Sequence, residues 1–229
     1  MQRGLKIALA SAAIAIATPA TAAVTVANTG GTPLANQIYG IAGTGTTVYG
    51  SSPNNDNVAN VTFTADTTVG MGAGFAQIND ASPNTPDWYT LIINPDQLFT
   101  DFKYSTMLTG AGTLTVYYVL SGSGFTQAQI NNTNLAAFTQ VTAGNGGVYS
   151  ADNNNFNKIL SGGTFDALAI RSSTPISFFE VKQMTFNGVT TTPPVPEPAT
   201  WGMMLLGFAG IGMAMRRSRR RNGALMQVA

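Results

Sequence analysis

Four carboxylates, Asp80, Asp87, Asp96 and Asp101, fall within 22 residues around one apolar run. Two carboxylates facing each other across a glycosidic bond could serve as acid and base, or as acid and nucleophile. Spacing alone selects no pair, and Asp beside Asn, Pro and Ser is ordinary turn and cap chemistry. A second polar group, Asp152-Asn-Asn-Asn-Phe-Asn157, offers oxygen ligands of the kind Ca²⁺ takes. It lacks the spaced acids, the glycine and the distal Glu of an EF-hand loop, so the expectation is a polar turn and no cofactor. Asp56 in Pro-Asn-Asn-Asp-Asn is read the same way. Trp88, Tyr89, Tyr117 and Tyr118 are the candidates for glycan contact, because an aromatic face suits a sugar ring. Neighbouring strand residues point to opposite faces, so one member of each pair is expected to face outward.

The chain has no histidine and no cysteine. The usual general base near neutral pH, thiol nucleophiles, zinc–thiolate centres and disulfides are therefore excluded. Serine is abundant, but no Ser-x-x-Lys stands in the body, which leaves a Ser–Lys hydrolase unsupported. Only 9% of the 229 residues are charged, against roughly 25% in ordinary soluble proteins. The net charge of +1 is also unevenly placed. Between residues 24 and 195 stand four bases (Lys103, Lys158, Arg171, Lys182) against nine acids, a balance of −5. A body of that sign repels phosphate backbones, so nucleic acid is not an expected partner.

The elements that must carry these side chains read as strands. Val61–Ala65, Trp88–Ile93, Thr113–Leu120, Thr164–Arg171 and Ile176–Phe186 show period-two or continuous apolar patterning rich in β-branched and aromatic residues. The last of these needs a bulge near Phe179-Glu180 to keep its apolar residues on one side. Gly-, Asn-, Pro- and Ser-rich turns separate the runs. The threonine pairs Thr62/Thr64 and Thr113/Thr115 do not recur in register and are read as solvent-face residues. One amphipathic helix is expected at about Thr126 to Phe138. The predicted architecture is all-β, an antiparallel β-sandwich or jelly-roll body spanning residues 24–189.

Both ends read as addressing segments. Residues 1–23 carry Arg3 and Lys6, then an apolar run from Ile7 to Ala17, then small residues at Ala20, Ala22 and Ala23, the pattern of a cleavable signal peptide. Thr190 to Val195 is a Thr/Pro linker. Trp201 to Met215 is apolar on every face, and Arg216, Arg217, Arg219, Arg220 and Arg221 follow it. Fifteen helical residues give about 22 Å, and with Ala199 and Thr200 the run nears the lower limit of a transmembrane span. The arginines are expected to remain cytoplasmic as a stop-transfer signal.

Pro196-Glu197-Pro198, Trp201, the glycine-bearing apolar run and the terminal arginines together resemble the PEP-CTERM protein-sorting signal in its PEPxxWA form, with Gly202 in place of Ala. Tails of this kind are also described as the C-terminal region of ice-binding proteins. The resemblance covers about the last 30 residues. It implies recognition by an exosortase-like membrane transpeptidase of a Gram-negative bacterium, cleavage near Pro196–Pro198, and release to the cell surface or extracellular matrix. Pro196, Glu197, Pro198 and Trp201 would be a substrate motif and not catalytic groups. Eight residues, Asn222 to Ala229, follow the arginines, where the family's tails usually stop.

The resulting expectation is a non-enzymatic exported protein, carried by the Sec translocon and held transiently in the inner membrane. Its body would associate with exopolysaccharide in a biofilm. The alternatives are a carbohydrate-binding module with a defined glycan site and a secreted glycan-active hydrolase using two of the acids.

Overall fold

Short runs of alternating apolar and β-branched residues, interrupted every few positions by glycine and asparagine, cannot build long helices, and among the described residues they build none. The computed structural model describes residues 22–30, 32–54, 56–80, 88–154, 156–173 and 178–189, and residues 208, 209 and 211. The chain divides into two units, Met1–Val189 and Thr190–Ala229. The strands of the first are β1 (Thr25–Asn28), β2 (Asn36–Gln37), β3 (Tyr39–Ile41), β4 (Gly43–Ser51), β5 (Val61–Met71), β6 (Gly74–Phe75), β7 (Gln77–Asp80), β8 (Thr90–Pro95), β9 (Phe99–Leu108), β10 (Gly112–Leu120), β11 (Thr139–Gln140), β12 (Val148–Ala151), β13 (Phe156–Ser161), β14 (Phe165–Ser172) and β15 (Phe178–Gly188). Among its described residues one helix, α1 (Gln127–Ile130), and one 3-10 turn, Ala143–Asn145, complete it.

The expected all-β, antiparallel character holds, but the sandwich or jelly-roll arrangement is corrected. Strands β9, β15, β7, β5, β8 and β14 pair in that order, every pair antiparallel, and β14 returns to β9 through Phe165 and Phe99. The sheet thus closes on itself as a small barrel. Register shifts in β15 at Phe178/Glu180, Lys182/Thr185 and Asn187/Gly188 supply the bends that closure requires. The first lies where the sequence predicts a bulge. Alternation of apolar and polar residues is common to sandwiches and barrels, so it does not decide between them.

A barrel this narrow is filled by its own side chains. Phe63, Leu91, Ile93, Phe99, Phe102, Tyr104, Phe165, Leu168, Ile170 and Phe186 are fully buried in one cluster. Phe102 and Phe186, register partners on β9 and β15, stack with centroids 6.1 Å apart at 3°. Two further clusters lie on the opposite face of β8, β10 and β14: Ile92 and Ala169 with Leu135, and Val119 and Ala167 with Ile130. The segment between β10 and β11 therefore covers part of the barrel's outside. This explains why the run at Leu91–Ile93 is apolar without alternation: Leu91 and Ile93 fill the barrel while Ile92 lies beneath the covering segment.

That segment also corrects the predicted helix at Thr126–Phe138. Only Gln127–Ile130 is helical, opened by a full capping box between Thr126 and Gln129. Beyond it the asparagine side chains compete with the helix. Asn132 Oδ1 accepts from the Asn134 N–H at 3.1 Å, Asn134 Oδ1 accepts from the Ala136 N–H at 2.9 Å, and Leu135 takes a left-handed φ of 61°. The covering segment is anchored from below by Asn94 on β8, 3% exposed, whose Nδ2 donates to Gln127 Oε1 and to Asn131 Oδ1.

Candidate functional site

The chain between β1 and β2 crosses the outside of β9 and β15, and its backbone must be tied down there. Lys103 does much of this. It stands on β9 between the core residues Phe102 and Tyr104, so alternation turns it outward, and its Nζ donates to the carbonyls of Gly30 and Thr32, the latter at 2.8 Å. Its register partner Thr185 accepts from the Leu34 N–H at 3.1 Å, and Asn187 Oδ1 accepts from the Ala35 N–H at 3.3 Å.

This crossing, β6, β7 and the irregular part of β15 enclose a cleft of about 440 Å³ lined by Pro33, Gln37, Phe75, Ala76, Gln77, Lys103, Lys182, Gln183, Met184 and Thr185. Phe75 is 64% exposed, and its ring is backed by that of Tyr39, with centroids 5.5 Å apart at 23°. Tyr39 and Phe75 are register partners on β3 and β6. Gly40, next along β3, leaves no room for a side chain: a Cβ there would lie 2.2 Å from the Gly72 carbonyl oxygen. The Tyr39 hydroxyl donates to Gln37 Oε1 at 3.0 Å. Behind the lining, Glu180, 5% exposed, accepts from Gln77 Nε2 and pairs with Lys182. Gln183 sits at the register shift with φ 54°, a left-handed conformation that costs a non-glycine residue about 1–2 kcal/mol. The cleft thus combines a bare aromatic ring, amides and two of the body's four basic residues, and no carboxylate is among its lining residues.

Among the described residues, none of the carboxylates that the sequence singles out lines the cleft. Asp96 is exposed just after β8. Asp101, on β9, accepts from Thr100 Oγ1 and Asn187 Nδ2. Asp80 ends β7, and Asp87 lies outside the described residues. Asp152 Oδ1 accepts both the backbone and the side-chain N–H of Asn154 at 2.7 Å, and Asp56 Oδ1 accepts the Val58 N–H at 3.1 Å. Both are polar turns. Among the described residues no group of three or more acids could hold a metal ion.

The candidate glycan aromatics also part company. Trp88 is fully buried, stacked on Phe178 with centroids 4.6 Å apart, and its indole N–H has no partner among the described residues. Of the neighbouring pair Trp88 and Tyr89 it is the member that faces the core. Tyr89 is half-buried, its backbone N–H donating to Asp66 Oδ1 at 3.0 Å. Tyr117 packs with Ile92, Leu135 and Ala169 outside the barrel, while Tyr118 meets Phe165 edge-on at 5.6 Å on the core side. The four make no common surface. Thr64, read as a solvent-face residue, is buried. Gln37, Phe75, Gln77 and Gln183 carry no signal in their spacing. Lys103 does: a lone cation between two aromatics in an apolar strand needs a buried partner.

A second polar cluster lies between β9, β12 and β13. Lys158 Nζ sits 4.0 Å from the centre of the Tyr149 ring and donates to Asn28 Oδ1 at 2.6 Å. Burial pushes the Tyr149 hydroxyl up to about 12 against the opposing effect of its hydrogen bond to Thr106. Burial, then the neighbouring Tyr149 charge, raises Tyr104 well above its ordinary value.

The addressing segments lie largely outside the described residues. Ala22 and Ala23 are exposed immediately before β1, whereas Ala20 is not among the described positions. Pro196, Glu197, Pro198, Trp201 and the five arginines are likewise outside them. Phe208, Ala209 and Ile211 are helical, with Phe208 and Ile211 exposed. Among the described residues no helix is long and apolar enough to cross a membrane.

Residues 194–221 match the family model described as the PEP-CTERM protein-sorting motif. No curated protein and no solved structure matches the chain.

Proposed function

We propose, from the PEP-CTERM sorting segment at residues 194–221, that this chain is an exported barrel protein delivered to the bacterial surface or matrix and held there by association with exopolysaccharide. The segment implies a secreted, envelope-targeted protein processed by an exosortase-like enzyme. The N-terminal leader carries the chain to the Sec translocon, the apolar run of residues 199–215 holds it in the inner membrane, and the arginines stop transfer. The two prolines keep the cleavage region extended and open to the transpeptidase. The body acts without catalysis, a reading supported by the lack of His and Cys and by a cleft lined with amides and lysines.

The match of residues 194–221 carries this conclusion. The test is fractionation of a Gram-negative host making exopolysaccharide, with and without its exosortase. The expected outcome is a shortened chain in the extracellular matrix of the intact host and a longer, membrane-bound chain in the deletion strain or after Pro196→Ala/Pro198→Ala. Identical distribution and size in all three would overturn it. A carbohydrate-binding module is the second reading, favoured by the exposed and backed ring of Phe75 in a concave site.

A further inference from the structure

The hydrogen-bonding groups left over in the outer cleft form a definite pattern. Lys103 lines the cleft while only 4% exposed, so its ammonium is largely dehydrated. Of its three N–H donors, the carbonyls of Gly30 and Thr32 take two, and no carboxylate pairs with it among the described residues. The other lysine, Lys182, is neutralised by Glu180. The excess charge of the cleft is therefore that of Lys103.

The amides are oriented by their structural partners. Tyr39 occupies Gln37 Oε1, which leaves the Gln37 NH₂ as donor. Gln77 spends Nε2 on Glu180, which leaves its Oε1 as acceptor. The exposed ring of Phe75 offers an apolar face of fixed orientation, because Tyr39 stacks behind it. One anion-binding donor, one neutral donor, one acceptor and one flat apolar face match a pyranose ring that bears a carboxylate. The volume suits a small ligand. The body's balance of −5 gives a polyanion no long-range attraction, so recognition rests on these local contacts.

We propose that this cleft binds a single acidic sugar unit, a uronate residue of a polysaccharide. Its carboxylate meets Lys103, its hydroxyls meet Gln37 and Gln77, and its C–H face lies on Phe75. This assignment rests on the reading of the protein as exopolysaccharide-associated and names the chemistry by which that association occurs.

The test is a titration of the isotope-labelled full chain in detergent with glucuronate and galacturonate, and with glucose and galactose as their neutral counterparts. The uronates are expected to shift the side-chain amide signals of Gln37, Gln77 and Gln183, with affinity about tenfold or more above the neutral sugars. Phe75→Ala, at an exposed position, is expected to keep the melting temperature and lose the shifts. Lys103→Met is expected to erase the preference for uronate; if it fails to fold, the uronate-to-neutral ratio on the parent chain still decides. Equal affinity for both sugar types, or no amide shifts at tens of millimolar uronate, would overturn the assignment. Matrix retention of the chain without uronate shifts would overturn the cleft assignment and leave the matrix reading standing. Uronate shifts without matrix retention would support the cleft and sink the matrix reading.

Discussion

Phe99 and Phe165 are register partners across β9 and β14, their ring centroids 5.5 Å apart, and this contact closes the barrel. Both rings are fully buried, and Phe99 also meets Phe102 and Phe186. Phe165→Ala would remove both a core aromatic and the seam. The expected cost is about 3–5 kcal/mol, read as a lowered urea midpoint. A loss below about 1 kcal/mol would mean that closure at this seam contributes little.

Alkaline pH should unfold the protein through its buried phenols. A tyrosine whose pKa is higher in the folded state keeps its proton there, so its stabilisation is whole below the unfolded value and fades as pH rises through the folded one. For Tyr149 the window runs from 10.0 to about 12, and Tyr104 acts in the same direction. Lys158 has the opposite sign: burial lowers its pKa, so its contribution improves as pH climbs toward 10.5. The melting temperature should therefore hold below pH 10 and fall above it. Tyr149→Phe should flatten that fall, and an unchanged slope would remove Tyr149 from the explanation.

The cover over the outer barrel face hangs on Asn94. Asn94→Ala should cost about 1–3 kcal/mol by removing its two hydrogen bonds, to Gln127 and Asn131. It should also raise amide exchange across residues 121–138 before the barrel strands respond. Uniform acceleration over the whole body would show that the cover does not open separately.

Gln183 offers a way to separate binding from folding. It is exposed and left-handed, so Gln183→Gly relieves backbone strain while removing a side chain from the cleft. Stability should stay within about 1 kcal/mol of the parent, because the relief and glycine's greater unfolded-state entropy oppose each other. Uronate affinity should fall severalfold. A large loss of stability would show that the side chain holds the β15 irregularity together.

Much of the strand content was legible in the residues themselves. Val61–Ala65 opens β5, Thr113–Leu120 falls within β10, and the bulge expected at Phe179-Glu180 is present in β15. Closure was not legible, because it depends on Phe165 reaching Phe99, and no periodicity reports a pairing 66 positions apart. Nor did alternation reveal the inversion at Phe165–Leu168. The shift opposite Val119/Leu120 sends Phe165 and Leu168 into the core and leaves Ala167 outside. The proposed site was hidden for a related reason. Gln37, Phe75, Gln77 and Gln183 come from four separate strands and meet through the long-range pairing of β15 with β2 and β7. Which of Trp88 and Tyr89 faces the core was not legible, because a large aromatic beside turn residues suits a surface or a core equally well. The sorting tail was readable because its recognition depends on local sequence.

The most direct test of the account is the intact mass of the protein recovered from the extracellular matrix of an exosortase-bearing host. The account predicts a chain that begins near Ala22–Val24 and ends near Pro196–Pro198, without the apolar run or the arginines. Recovery of the chain at its full 229 residues, with Arg216–Arg221 still attached, would contradict it.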